Sequence, residues 1–398
     1  MQTRLFNRNF IIIIAITFCS GLTAQLMNTA LPLYIVNALG GSTSISGVLS
    51  SIYTLVACVI RPISGIWVDR IGRKRFITIG MILFAVGCFG FGTVALPFAL
   101  ILFRIIQGVG FGISSTASGV AATDNIPPAR LGEGLGYVGM CNSLPMVIGP
   151  SIALALIAAL NYTSPFFFAG LLCVIALLLS FAVTERFSAG SSGNEQKGKK
   201  QNEKFRLSSI FEKKALPSAG IQIFLSFAAS CWMVYGSLYA QYRGYGNVSV
   251  FFVVSALGMV LSRLMISKIV DHANPYTLVI PTCLLWTLSF VLILLVDSSV
   301  MFLAVGVIYG VCLGISETIL NMLCYRGVPA ERRGAANATY MIAFDGGIGL
   351  GGLLLGFIID AAGGNYDVMI LAGIFCTAAA AVLSLLLWLR EGRTRAEA

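Results

Sequence analysis

Twelve stretches of apolar residues recur along the chain, each about twenty residues long, the length an α-helix needs to cross a bilayer. They run from Phe10 to Tyr34, Gly47 to Trp67, Phe76 to Leu96, Phe98 to Ala122, Leu135 to Leu160 and Pro165 to Val183. A second set runs from Pro217 to Tyr239, Val248 to Val270, Tyr276 to Val296, Val300 to Leu323, Ala336 to Ile359 and Val368 to Trp388. The runs are uninterrupted rather than alternating, which excludes barrel strands. Hydrocarbon offers no water to backbone groups, so these runs predict an all-α membrane protein with twelve transmembrane helices. The apolar stretch from Phe10 continues past Ala24, so Met1 to Ala24 reads as part of a retained first helix rather than a signal peptide. One break is long: residues 185–214, centred on SAGSSGNEQKGKKQNEK, have the composition of a solvated linker. The expected organisation is therefore a six-helix bundle over 1–184, a cytoplasmic central linker over 185–214 and a second six-helix bundle over 215–398.

Composition and charge sharpen this picture. Hydrophobic residues make up 57% of 398 positions and charged residues 11%, too few to clothe a water-soluble surface. A net charge of +10 would suggest nucleic acid in a soluble protein, but the cations alternate with the helices. With a cytoplasmic N-terminus, 24 of the 26 Lys and Arg fall on the cytoplasmic side, leaving Arg104 within a helix and Arg243 outside. The expectation is a multi-pass protein of the cell (plasma or inner) membrane, both termini cytoplasmic, embedded in lipid and binding no nucleic acid. The ten cysteines lie in or beside apolar segments without pairing or metal-ligand spacing, so neither disulfides nor a metal site is expected.

The two sets of six are related. At a constant offset of 202 residues, Arg61 meets Arg263, Asp69 meets Asp271, and Gly108, Gly112 and Ser114 meet Gly310, Gly314 and Ser316. Pro127, Arg130, Gly132 and Gly149 likewise meet Pro329, Arg332, Gly334 and Gly351. Glycines and loop charges recurring at one offset predict a duplicated unit and two pseudo-symmetric bundles.

Three motifs carry a family resemblance. GIWVDRIGRKR, between the second and third segments, supplies Gly65, Asp69, Arg70, Gly72, Arg73, Lys74 and Arg75, and resembles the loop signature of the major facilitator superfamily. Gly65 would let helices approach closely and Asp69 would pair with basic loop residues or a helix N-terminus, latching the cytoplasmic side. The second half keeps only Arg263 and Asp271 of it. LILFRIIQGVGFG, from Leu100 to Gly112, is similar to the family's second motif and contains Arg104 and Gln107. The fifth segment, GYVGMCNSLPMVIGPSIAL, resembles the motif of the twelve-helix drug and proton antiporter branch. It keeps Gly136, Gly149 and Pro150 but has Pro145 at the second glycine and Ala153 with Leu154 at the final pair. Pro145, Gly149 and Pro150 would bend or pack that helix. Phe344 to Gly352 looks like sequences common in efflux members. The resemblance implies the major facilitator fold and alternating access to a central cavity.

Ionisable residues inside apolar helices are costly and mark sites. Glu317 and Asp345 are the carboxylates well inside the segments, and either or both would bind the coupling proton. Arg104 would face a polar cavity and help set their affinity, or else snorkel to the surface. Trp232, Tyr235, Tyr239 and Tyr242 recur at helical spacing in the seventh segment and would line a cavity for flat or cationic solutes, or form an interfacial belt. Gln25, Asn28, Gln107, Asn142, Asn321 and Tyr340 are further cavity candidates. No nucleophile with its base, metal cluster or phosphate loop is visible, so an enzyme is not expected. The leading expectation is a secondary transporter, a monomer without cofactor, that exports small amphipathic molecules or drugs in exchange for protons. The alternative is export or uptake of a specific metabolite such as a sugar, amino-acid derivative or metallophore.

Overall fold

The computed structural model describes residues 5–94, 96–127, 130–184, 211–246, 248–266, 274–295, 298–329 and 332–396. These contain twelve helices long and apolar enough to cross a membrane. They are α1 (Arg8–Leu33), α2 (Thr43–Ile71), α3 (Arg73–Thr93), α4 (Pro97–Asp124), α5 (Leu131–Ala159) and α6 (Ser164–Phe181). After residues 185–210 come α7 (Leu216–Tyr242), α8 (Val248–Ile266), α9 (Pro275–Leu295), α10 (Ser299–Tyr325), α11 (Arg333–Ala361) and α12 (Asp367–Ala396). Local signals set several starts: Asn7, Ser42 and Ser298 cap α1, α2 and α10 through their side-chain oxygens, and proline opens α4, α6 and α7. Gly72 both ends α2 and begins α3 with φ 101°, a conformation glycine adopts without strain.

Six helices on either side of residues 185–210 form two bundles. They meet chiefly through α2 against α11 and α5 against α8, with α1 touching α7. Large apolar side chains such as Val59, Phe98, Leu178, Leu264 and Phe375 face outward, as lipid contact requires. Each half keeps its own core. In the second, Trp232 of α7 stacks on Phe290 at 5.7 Å and Phe251 on Phe302 at 4.4 Å.

The 202-residue offset recurs in the packing. A side chain at Gly108 would meet the Tyr53 carbonyl oxygen at 2.8 Å, and one at Gly310 would overlap the Ser255 carbonyl oxygen. Gly112 and Gly314 lie in the same way against the carbonyls of Ala57 and Met259. All four contacts seat α4 on α2 or α10 on α8, the close approach that small residues permit. Gly65 does not take part: its neighbour, Thr116, is at an ordinary 4.0 Å. The expectation that Gly65 brings two helices together is therefore corrected, because its Cβ position meets α4 only at ordinary van der Waals distance.

Candidate functional site

Both intramembrane carboxylates are ion-paired. Asp345 of α11 pairs with Arg61 of α2, tying one bundle to the other. Glu317 of α10 pairs with Arg263 of α8 within the second bundle, and Arg263 also donates to the Ser143 hydroxyl of α5 in the first. Arg61 stands ten residues from the end of α2, or about 15 Å at 1.5 Å per residue. It is thus inside the apolar span, not in a loop. Charge counting along the sequence places Arg61 and Arg263 with the loop cations, and the structure corrects this.

The two clusters are related by the offset with one exchange. Arg61 corresponds to Arg263, Asp345 to Ser143 and Glu317 to Ser115. The first arginine therefore has its carboxylate on the opposite bundle, whereas the second has its carboxylate on its own bundle and a serine opposite. Losing a carboxylate charge consequently has different effects: at Asp345 it breaks a tie between bundles, and at Glu317 it releases a cation that reaches across to Ser143.

Arg104 contacts neither carboxylate, which corrects its expected place beside them. It is completely buried, so it does not snorkel. Its Nη1 donates to Gln107 Oε1 at 2.9 Å, and its guanidinium lies over the rings of Tyr53 at 5.1 Å and Phe91 at 5.6 Å. Tyr53 is 5.5 Å from the Phe111 ring, over which Arg61 lies at 5.4 Å. A continuous stack thus runs from Arg104 through two aromatic rings to Arg61 and Asp345.

A cavity of about 40 Å³ lies between the bundles, lined by Gln25, Thr29, Met146, Pro150, Met233, Phe252, Ser255, Ala256, Met259, Tyr309, Gly310 and Leu313. Drug-sized molecules need about 300 Å³ or more, so the bundles must part to admit one. A larger cavity, about 400 Å³, lies at the edge of α5 and α6, lined by Leu156, Phe167 and other largely apolar residues of one bundle only.

The α7 aromatics lie elsewhere. Trp232, Tyr235 and Tyr239 are buried in the second core, Tyr235 donating to the Gly352 carbonyl, and Tyr242 is exposed beside Asn365. Their expected place on the cavity wall is corrected: α7 turns Met233 to the cavity, while Trp232 packs against α8, α9 and α10 and Tyr235 against α11. Of the polar candidates, Gln25 lines the cavity. Gln107 holds Arg104, Tyr340 donates to Gln222, Asn142 bonds the Val138 carbonyl on an exposed face, and Asn28 and Asn321 are half-buried. Helix α5 runs unbroken through Pro145 and Pro150. Its Gly149 lies against Gln25, where a side chain would approach to 2.5 Å.

The ends of the bundles are also fastened. At the end away from the termini, Asp360 of α11 accepts from the backbone N–H of Thr43 (3.1 Å) and Ser44 (2.8 Å) at the N-terminus of α2, where a carboxylate meets the helix dipole favourably. Asn37 donates to Gln241 nearby at 3.0 Å, again between bundles. At the other end, Arg73 pairs with Asp124 at 2.8 Å and Lys74 donates to the Phe181 carbonyl at 2.7 Å, both within the first bundle, while Arg75 is exposed. The side chains of Asp69 and Arg70, and Asp271 altogether, lie outside the described residues, as do residues 185–210 of the expected linker.

Comparison with known proteins accords with this geometry. A family model described as Major Facilitator Superfamily matches residues 13–352. The quinolone resistance protein NorA of Staphylococcus aureus is 24% identical over 360 residues, 89% of this chain and 90% of its own length. The staphylopine export protein of Staphylococcus aureus is 24% identical over 334 residues, 82% of this chain and 83% of its own. Among solved structures, a POT family transporter in complex with 5-aminolevulinic acid superposes with a TM-score of 0.80 at 16% identity, covering 98% of this chain and 97% of its own. The nucleoside transporter NupG does so at 0.73 and 15% identity, covering 96% and 99%. At such identities the structural likeness speaks for the fold.

Proposed function

Because the chain belongs to the major facilitator superfamily, we propose that it is a secondary active transporter that exports small amphipathic organic molecules, drugs among them, in exchange for protons. The observation that carries this reading is the exchanged pair of ion clusters: Asp345 with Arg61 between bundles, Glu317 with Arg263 and Ser143 beside it. A proton on Asp345 removes the charge that ties α11 to α2, and a buried cation left alone favours separation. A proton on Glu317 loosens Arg263 and with it the contact to Ser143. Proton binding and opening of the central cavity are in this way the same event, as alternating access requires.

Three methionines on the cavity wall, Met146, Met233 and Met259, support breadth of substrate, since thioether side chains repack around different shapes. The similarity to the staphylopine export protein supports the narrower alternative, export of one metabolite. The positive-inside distribution supports a cell-membrane location with both termini cytoplasmic. The protein works as a monomer, without cofactor, on the proton gradient. Its transporter relatives support transport rather than catalysis.

Liposomes holding only the purified protein and a pH gradient test this with a fluorescent cationic dye. Dye movement should stop when a protonophore collapses the gradient, and Glu317→Gln should lower the gradient-driven rate by about a hundredfold or more, the order a lost proton-transfer group costs. Normal gradient-driven transport by Glu317→Gln would remove Glu317 from the mechanism.

A further inference from the structure

Among the described residues, Arg104 is an arginine held wholly out of water. Arg61, Arg73, Arg130, Arg243, Arg263, Arg326 and Arg332, all at least partly exposed, each pair with a carboxylate. Arg104 is 0% exposed and meets no carboxylate among the described residues. A guanidinium taken out of water without a counter-charge is a large penalty, so some state of the protein must supply one.

The way the cation is held specifies the counter-charge. The rings of Tyr53 and Phe91 cover the guanidinium, and Gln107 takes the Nη1 corner. Gln107 is itself fixed by Cys88, whose sulfur accepts from Nε2 at 3.7 Å. What remains is the edge formed by Nε and Nη2, and both nitrogens lack a hydrogen-bond partner. Those two parallel N–H groups match the two oxygens of a carboxylate. The Tyr53 hydroxyl, on the residue packed against the guanidinium, is also buried without a partner and can add a third donor.

The duplicated half has no such arrangement. At the 202-residue offset Arg104 becomes Gly306, Gln107 becomes Tyr309 and Tyr53 becomes Ser255, and Phe251 packs on Gly306. The cation is thus a departure from the repeated architecture, built into the first bundle alone.

We infer that the Nε–Nη2 edge of Arg104, with the Tyr53 hydroxyl, binds a carboxylate borne by the transported molecule, whose flat apolar part lies against the neighbouring aromatic rings; this rests on the transporter reading above. Arg104 is closed off in the conformation described, so the carboxylate arrives when the bundles are differently disposed. Once bound, it sits at one end of the stack that leads through Tyr53 and Phe111 to Arg61 and Asp345. Tyr53 and Arg61 are eight residues apart on α2, or about 12 Å, so the carboxylate at Arg104 and the proton at Asp345 would sit at different levels along that helix.

The test uses benzoate and 2-naphthoate, each against its primary amide, added to the full-length protein in nanodiscs, with thermal stabilisation and titration as readouts. The carboxylates should bind wild type about tenfold tighter or more than the amides, since only they fill the bidentate edge. Arg104→Gln should bring that ratio to about one, and Arg104→Lys should lower it without abolishing it, since a point charge keeps the attraction but not the fork. Tyr53→Phe, which keeps the ring, should cut the ratio by about threefold and serves if the Arg104 variants do not fold. Equal binding of acid and amide, no stabilisation by either acid, equal stabilisation by chloride, or a preference that survives Arg104→Gln would overturn the assignment. Dye transport by wild type with no carboxylate preference would overturn it while leaving the transport reading intact. An Arg104-dependent preference in a protein that moves no solute would keep the site and overturn the transport reading.

Discussion

Asp345→Ala is expected to abolish gradient-driven transport and to destabilise the protein by about 3 kcal/mol, the low end for breaking a buried ion pair, because the pair keeps partial exposure. The loss comes from Arg61, which would be left as an uncompensated cation between α2 and α11. Removing the cation as well, in Arg61→Ala with Asp345→Ala, should restore most of the stability without restoring transport, since the proton-sensitive tie is still absent. The corresponding pair of measurements at Glu317 and Arg263 should show a smaller effect on association of the bundles, because that ion pair lies within one of them. Unfolding in detergent measures the first part and dye movement in liposomes the second. Additive destabilisation in the double variant would contradict the pairing.

Gly310→Ala is the other large effect. Its new methyl group would overlap the Ser255 carbonyl oxygen, a backbone atom that cannot turn aside, so α10 must move off α8. A loss of about 3 kcal/mol is expected, at the upper end for overpacking. Gly108→Ala, its counterpart, meets the Tyr53 carbonyl at 2.8 Å and should cost less. Gly65→Ala, although in the family's signature loop, has space and should be close to silent on stability. Melting temperatures of the three purified variants check the order. A Gly65→Ala protein that melts as low as Gly310→Ala would refute this account of helix packing.

Much of the fold was legible because its signals are one-dimensional. Apolar length alone marks twelve crossings, and the offset of 202 residues relates glycines that prove to sit against carbonyls at matching places in both bundles. Glu317 and Asp345 were equally visible, since a carboxylate in an apolar helix stands out. Their partners were not. Arg61 and Arg263 lie toward the basic ends of α2 and α8, where a rule that counts cations near loops absorbs them. The same offset could have found the exchange, because it sets Ser143 against Asp345 and Ser115 against Glu317.

The α7 aromatics show a different limit. Helical spacing places Trp232, Tyr235 and Tyr239 on one stripe but does not say which neighbour the stripe meets. In the structure Trp232 meets Phe251, Phe290, Phe302 and Tyr309, an aromatic set scattered over α8, α9 and α10, while Tyr235 reaches the Gly352 carbonyl of α11 and Tyr239 packs on Trp232 and Tyr245. Arg104 was legible as exceptional but not as isolated. Only the packing reveals that rings and an amide, rather than a carboxylate, surround it.

If protons on Asp345 and Glu317 are exchanged for substrate, the detergent-solubilised protein must release protons as substrate binds. The measurement follows a pH indicator in weak buffer as a dye that the liposome assay has shown to be transported is added. Wild type should release protons on binding, and Glu317→Gln with Asp345→Asn, still binding dye, should release none. Binding of a transported dye by wild type with no proton released, or undiminished release from the double variant, would contradict that exchange.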